Sequence, residues 1–321
     1  MELYNFCLAE FNIYMEEFIN KELPQQHIEK IKYMLEGGKR IRPIIGTAFS
    51  VGNQNNWDLL TIVEIIHNAS LILDDTPQMD NDTIRRNNPA FHIKYGVKAT
   101  YLFSYYLISW VGKYMAKRFS NYGDKYKNCI GSDNVSAELL SLISGQYKDL
   151  SWGKSHISES QFVPPKYIPP KYIPPKYIPT LDIVSSIFSK LGDNKQLDSR
   201  LQNYFVLILE KTASLFWLPI YLVVWNQQNL STKYVLDLQK WSYLFGIAFQ
   251  ISDDLLDIQQ DTHNAKPNIC QILNITETIQ FLKLLASELK TILSGISNFQ
   301  SVDVNLLNGI IEMILERCGV V

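Results

Sequence analysis

From Leu59 to Leu73 the chain is apolar almost all the way round a helix: Leu59, Leu60, Ile62, Val63, Ile65, Ile66, Leu71 and Ile72 leave little face for solvent. A helix of this kind is central to its fold rather than laid on the surface. It then runs straight into charge. Leu71–Arg86 reads LILDDTPQMDNDTIRR: the adjacent carboxylates Asp74 and Asp75, a Thr-Pro break, Asp80 and Asp82, and the pair Arg85-Arg86. Acids and bases this dense at the end of a buried helix are costly unless something binds there. Oxygen ligands at this spacing suit a hard cation such as Mg²⁺, usually shared with a phosphate. Adjacent arginines suit the oxygens of a phosphate or diphosphate. The competing account of this stretch alone is a solvated turn with surface ion pairs.

A second acidic stretch weighs against that account. Phe249–Asp257 reads FQISDDLLD, on a helix predicted from about Val235 to Ile258 and otherwise rich in Leu, Ile, Phe and Trp. Asp253 and Asp257 are four apart and share one face, with Asp254 one step round. Two carboxylate clusters on two apolar helices can face each other across a bundle, and facing like charges are unfavourable unless cations bridge them. Nearer the N-terminus, Gly37-Gly38 breaks an amphipathic opening helix, and Lys39, Arg40 and Arg42 follow where a new helix starts, with Pro43 in its first turn. Backbone N–H groups at a helix start, together with such cations, suit a diphosphate.

These motifs resemble those of the trans-prenyltransferases, the geranylgeranyl and farnesyl diphosphate synthase family. Gly37-Gly38-Lys39-Arg40-Ile41-Arg42-Pro43 is similar to the family's GGKRxRP. Asp74-Asp75…Asp80…Arg85-Arg86 is similar to its first aspartate motif, and Phe249-Gln250…Asp253-Asp254…Asp257 to its second. Weaker matches are Gly145-Gln146-Tyr147-Lys148-Asp149-Leu150 and Lys211-Thr212. The resemblance spans roughly Leu35 to Lys266. It implies an all-α, isoprenoid synthase-type bundle around a deep central cavity, and a Mg²⁺-dependent condensation of isopentenyl diphosphate with an allylic diphosphate (dimethylallyl, geranyl or farnesyl). By match, the catalytic acids are Asp74, Asp75, Asp80, Asp253, Asp254 and Asp257, of which Asp74, Asp80 and Asp253 ligate metal. Arg85, Lys211, Thr212, Gln250 and Lys266 hold the allylic diphosphate. Lys39, Arg42, His67 and Arg86 hold isopentenyl diphosphate. A lone histidine on an apolar helix is more often a satisfied core residue, but His67 stands where the family places a substrate-binding one. The resemblance also implies a homodimer.

Composition is consistent with such an enzyme. At 321 residues, 46% hydrophobic and 19% charged, the chain can bury a large core. A net charge of -2 argues against general nucleic-acid binding, which needs a basic footprint. Cys7, Cys129, Cys270 and Cys318 are scattered without metal-type spacing, as expected of free thiols in a reducing compartment. The first residues mix acids among apolar side chains, unlike a signal or transit peptide. The apolar run Leu215–Trp225 is shorter than the roughly 20 residues a bilayer requires. The expectation is a soluble, cytoplasmic protein.

The remaining chain reads as helices: one from the N-terminus to about Glu36, then Tyr101–Met115, Ser136–Leu150, Asn203–Trp225, Val235–Gln260, Leu282–Leu293 and Val304–Arg317. No sustained period-two alternation with hairpin turns predicts strands. A single domain over 1–321 is expected, interrupted at about 162–180, where Pro-Pro-Lys-Tyr-Ile occurs three times between Pro164 and Ile178. Paired prolines every five residues forbid a helix and favour polyproline II. A tolerated loop insertion is the simpler account, and a ligand for a proline-binding module the alternative.

The chain departs from the family after Asp257. Lys266 is present, but Cys270–Glu277 lacks the second lysine usual there, which admits a non-catalytic partner subunit as an alternative. A terpene cyclase is disfavoured, since cyclases lack the Gly37–Pro43 pattern. Product length is read from the helix before Asp74. Ala69 and Ser70, five and four positions upstream, are small; by family resemblance this allows growth past C15, toward C20 geranylgeranyl diphosphate, with Tyr105-Tyr106 the expected floor. Farnesyl or longer polyprenyl products are the alternatives.

Overall fold

A computed structural model describes residues 2–50, 54–120, 131–152, 180–192, 195–224, 230–264, 266–296 and 302–320. The Pro-Pro-Lys-Tyr-Ile repeat and Cys129 lie outside them. The described chain is a helical bundle: α1 (Glu2–Glu22), α2 (Gln25–Leu35), α3 (Ile41–Ala48), α4 (Trp57–Asp74), α5 (Phe91–Tyr95), α6 (Val97–Ser120), α7 (Gly131–Ser151), α8 (Thr180–Phe188), α9 (Ser199–Ile208), α10 (Ser214–Val224), α11 (Thr232–Leu256), α12 (Ile258–Asn264), α13 (Ile275–Ile296) and α14 (Val304–Arg317). The opening segment is two helices rather than the one expected, because Pro24 supplies no N–H and ends the first. Among the described residues the only sheet is a two-residue hairpin, β1 (Ile84–Arg85) against β2 (Asn88–Pro89). Its turn residues Arg86 and Asn87 both have positive φ, 53° and 64°, the form that matches the twist of paired strands.

Helix α4 is the axis, with α1, α2, α3, α6 and α10 packed around it. Leu59, Leu60, Ile62, Val63, Ile65, Ile66 and Ala69 are fully buried, as the all-round apolar sequence demands. Helix α10 is buried at every position, and α11 buries Leu238, Trp241, Leu244, Phe245 and Ile247 against α10 and α13. Among the described residues one helical stretch, Ser199–Val224, has the length and apolarity to cross a bilayer, but 83% of its most apolar window is buried inside the bundle.

This stretch is not a uniform helix. Leu209–Ala213, between α9 and α10, widens into a π-turn, a feature often found at functional sites. Close backbone approaches accommodate it on two sides. A Cβ on Gly246 of α11 would lie 2.6 Å from Ala213 Cα, and one on Gly145 of α7 would lie 2.4 Å from the Lys211 backbone nitrogen. No real Cβ tolerates such distances, and the obstacle in each case is backbone, which cannot swing aside. Gly246→Ala is therefore expected to cost about 1–3 kcal/mol by overpacking, read as a lower midpoint in urea denaturation. An unchanged midpoint would mean that α11 can move off the turn freely.

Candidate active site

A cavity of about 360 Å³ opens at the C-terminal end of α4. One wall is α4, through Glu64, His67, Ser70, Leu71 and Asp74. A second is α11, through Phe249, Gln250 and Asp253, joined by Arg317 at the end of α14. Residues 37 and 39–42 form a third side, the hairpin arginines Arg85 and Arg86 a fourth, and the π-turn residues Lys211 and Thr212 the last, with Leu142 and Leu215 beside them. Ten of the residues predicted from sequence thus share one cavity: Lys39, Arg42, His67, Asp74, Arg85, Arg86, Lys211, Thr212, Gln250 and Asp253.

The basic side is built on buried polar groups. Arg40 adopts a left-handed backbone (φ 56°) at the N-cap of α3. This turns its guanidinium inward, 2.9 Å from Glu64 Oε1, with both side chains almost fully buried. Asn68 Nδ2 also donates to Glu64 Oε1, at 2.9 Å, and the Tyr4 hydroxyl donates to the Lys39 carbonyl. Gly38 leaves room for this arrangement: a Cβ there would meet the Arg40 guanidinium at 1.9 Å and displace it. Arg42 then projects into the cavity over the Phe216 ring (4.5 Å), with one terminal nitrogen 3.1 Å from His67 Nε2. Burial pushes His67 well below its ordinary range, aided by Arg42 and Arg86. The ring is therefore neutral, and Nε2 accepts from Arg42. Burial also lowers Arg42 to about 10, against the pull of Glu64 and Asp253. Arg42 Nε is buried without a partner, a donor left for a ligand.

The acidic side is under electrostatic stress. Burial pushes the Asp74 carboxyl up to about 7; Lys211 draws it back, while Asp80, Asp149 and Asp75 push it further up. Burial opposes the charge of Lys211 too, but Asp149, Asp74 and Asp80 outweigh it and hold the ammonium above its ordinary value. Lys211 is ion-paired with Asp149, and Thr212 Oγ1 donates to Gln250 Oε1 at 2.9 Å. Across the cavity, burial raises Asp253 and Arg317 lowers it, the two 2.9 Å apart. Arg317 also stacks on Phe249 at 4.6 Å. Lys266 reaches from beyond the second motif to Asp80, 2.8 Å away.

Other predicted acids point elsewhere. Asp75, almost fully buried, is clasped by Arg85, whose Nε lies 2.9 and 3.1 Å from its two oxygens. Asp254 sits one residue, about 100°, round the helix from Asp253, and turns into the protein. It accepts from Tyr204 Oη (2.7 Å), the Ile269 backbone (2.7 Å) and Gln250 Nε2 (3.0 Å). Asp257 is the exposed C-cap of α11. The expected floor is also displaced. Helix α6 packs on the core through Phe103, Ser104 and Leu107, so Tyr105 emerges 68% exposed and Tyr106 lies against His27 at 4.3 Å. Ala69 is fully buried on the α6 side, its carbonyl accepting from Ser104 Oγ at 3.0 Å, whereas Ser70 lines the cavity.

Sequence reasoning missed Arg317, Asp149 and the Arg40–Glu64 pair as parts of this site. Asp149 and Arg40 stood inside quoted motifs. Nothing local to Arg317 marks it, since only the return of α14 to α11 brings it in. Among the described residues no three carboxylates, imidazoles or thiols converge tightly enough to hold a metal ion unaided. Buried carboxylates on two walls of a cavity studded with cations, Asp74 raised further by its neighbours Asp80, Asp149 and Asp75, nevertheless fit a hard cation shared with an anionic ligand.

The polyprenyl synthetase family pattern matches residues 25–165 and 181–297, and the chain belongs to that family. It is 35% identical over 147 residues to a geranylgeranyl diphosphate synthase of Cyanophora paradoxa, covering 43% of this chain and 49% of the relative. It is 27% identical over 252 residues to a farnesyl diphosphate synthase of Buchnera aphidicola, covering 75% and 74%. Its fold matches the crystal structure of a geranyltransferase from Legionella pneumophila with a TM-score of 0.67 at 19% identity, covering 99% and 96% of the two chains.

The raised Asp74 carboxyl has a consequence for stability. Between its unfolded value of 3.8 and about 7 the unfolded chain ionises Asp74 while the folded chain keeps it protonated. The group therefore costs stability progressively as pH rises through this window, and the full cost applies above it. In metal-free protein, Asp74→Asn is expected to raise the melting temperature at pH 8 by several degrees, the gain shrinking toward pH 4. A gain that does not change with pH would remove burial of charge as its cause.

Proposed function

We propose that the protein is a trans-prenyltransferase joining isopentenyl diphosphate head to tail with an allylic diphosphate. The observation that carries this is the single cavity in which Asp74 of α4 and Asp253 of α11 stand on different walls, with Arg42, Lys211 and the hairpin arginines between them. Asp74, Asp80 and Asp253 are the residues that would hold Mg²⁺, which would supply positive charge to stabilise a departing diphosphate. Lys211, Thr212, Gln250 and Lys266 orient the allylic diphosphate, with Arg85 alongside. Lys39, Arg42, Arg86 and neutral His67, donating from its free nitrogen, orient isopentenyl diphosphate. Ionisation leaves an allylic cation, the isopentenyl double bond attacks it, and a proton passes to the released diphosphate. Ile41, Leu71, Leu142, Leu215 and Phe249 line the space and exclude water from the cation.

The small side chain of Ser70 in the wall, four residues before Asp74, supports growth beyond C15 to a C20 product. An exposed stripe, Leu102 and Tyr105 on α6 with Leu140 and Ile143 on the adjacent α7, supports a homodimer through this face. Leu102→Glu is then expected to shift the mass in light scattering toward that of one chain. The protein acts as a soluble, cytoplasmic enzyme.

Incubation with Mg²⁺, radiolabelled isopentenyl diphosphate and farnesyl diphosphate, followed by mass analysis of the dephosphorylated product, tests the reading. A C20 alcohol is expected. Asp74→Ala and Asp253→Ala should each lower turnover by about 10²–10³ or more, as loss of positioned electrostatics does, and Ser70→Phe should shorten the product. Near-normal turnover in either aspartate variant defeats the two-wall arrangement. An unchanged product from Ser70→Phe removes Ser70 from the length-setting wall.

A further inference from the structure

The π-turn Leu209–Ala213 carries Lys211 and Thr212, and the glycines Gly145 and Gly246 let two helix backbones close on it. These contacts fix where the turn sits, while its charges are governed by a second set of contacts. Consecutive residues of α7, Lys148 and Asp149, face consecutive residues of the turn, Glu210 and Lys211, with signs reversed. Lys148 Nζ is 2.6 Å from Glu210 Oε1, and Lys211 is paired with Asp149. A slip of one residue would oppose Lys148 to Lys211 or Asp149 to Glu210, so the alternation specifies the register. Glu210 Oε2 is buried without a hydrogen-bond partner, and Lys148, bonded to Oε1, supplies charge compensation to that carboxylate.

We propose that Lys148 is a positioning residue for the diphosphate site. By pairing with Glu210 it keeps a bare carboxylate from acting on an anion held by the neighbouring Lys211. This rests on the assignment of Lys211 to the allylic diphosphate made above. Lys148 is 43% exposed and Glu210 25%, so the pair adds little to stability and can be broken in a folded protein.

The test is calorimetric titration of the full chain with inorganic pyrophosphate in the presence of Mg²⁺, beside steady-state kinetics. Lys148→Met is expected to weaken pyrophosphate binding by about 10-fold and to raise KM for the allylic diphosphate similarly, with kcat and melting temperature little changed. Lys148→Met/Glu210→Gln should recover to within about 2-fold of wild type, and Lys148→Arg should bind like wild type. Glu210→Gln alone, which supplies the answer if Lys148→Met fails to fold, should bind pyrophosphate at least as tightly as wild type. Wild-type binding by Lys148→Met, a double variant as weak as the single one, or weakened binding by Glu210→Gln overturns the proposal. Lys211→Ala separates the two levels. If it loses binding while Lys148→Met does not, the positioning role alone fails. If it binds like wild type, or if wild type binds no pyrophosphate, the assignment of Lys211 fails and the proposal with it.

Discussion

Charge placed where water is scarce is the constraint from which the rest of this structure follows. Asp74 ends a helix whose other side chains are almost all in the core, and the folded protein resists its ionisation. A lone carboxylate would relieve this by protonating. Here Asp80 and Asp149 act on the same carboxyl and Asp253 lines the same cavity, and Lys211, Lys266 and Arg317 pair with Asp149, Asp80 and Asp253. Each cation comes from a different part of the chain: the π-turn, the segment after α12 and the C-terminal end of α14. The fold needs a bundle of this size because no short segment can deliver acids and bases from so many directions to one cavity.

Backbone strain serves the same end. Arg40 and Arg86 both have left-handed φ values, unusual for residues with a Cβ. Arg40 is held so by its buried pairing with Glu64 and by the space that Gly38 leaves. Arg86 is held by the two-residue turn of the hairpin, with its guanidinium 3.2 Å from the Glu36 carbonyl. In both places the surroundings over-determine a conformation the residue alone would avoid, which pre-orders cations before an anion arrives.

The sequence made the architecture legible through local pattern, and most of the cavity lining through the resemblance of its motifs to those of a known family. An all-round apolar helix must be central, and motifs at helix ends point the same way once those ends meet. What stayed hidden depends on rotation about a helix axis and on return of distant chain. Adjacent residues lie about 100° apart, so Asp253 faces the cavity while Asp254 faces Tyr204, and Ser70 lines the wall while Ala69 packs against Ser104. The same step sends Tyr105 to the surface rather than beneath the substrate space. No composition rule distinguishes these neighbours, and none announces Arg317.

Asp254 shows how a motif can divide its labour between adjacent identical residues. Its carboxylate receives the Ile269 backbone, and its carbonyl receives Asn268 Nδ2 at 2.8 Å. Asn268 also reaches Asp261 Oδ2 at 2.8 Å. The segment just after Lys266 is thereby tied to the helix that bears Asp253, and Lys266 spans to Asp80 from a moored base. One aspartate is given to the cavity and its neighbour to the segment that carries a cation toward the opposite wall. Coupling the walls in this way means that a change in the charge between them reaches the Lys266 segment through Asp80, while the mooring at Asp254 limits how far that segment can follow.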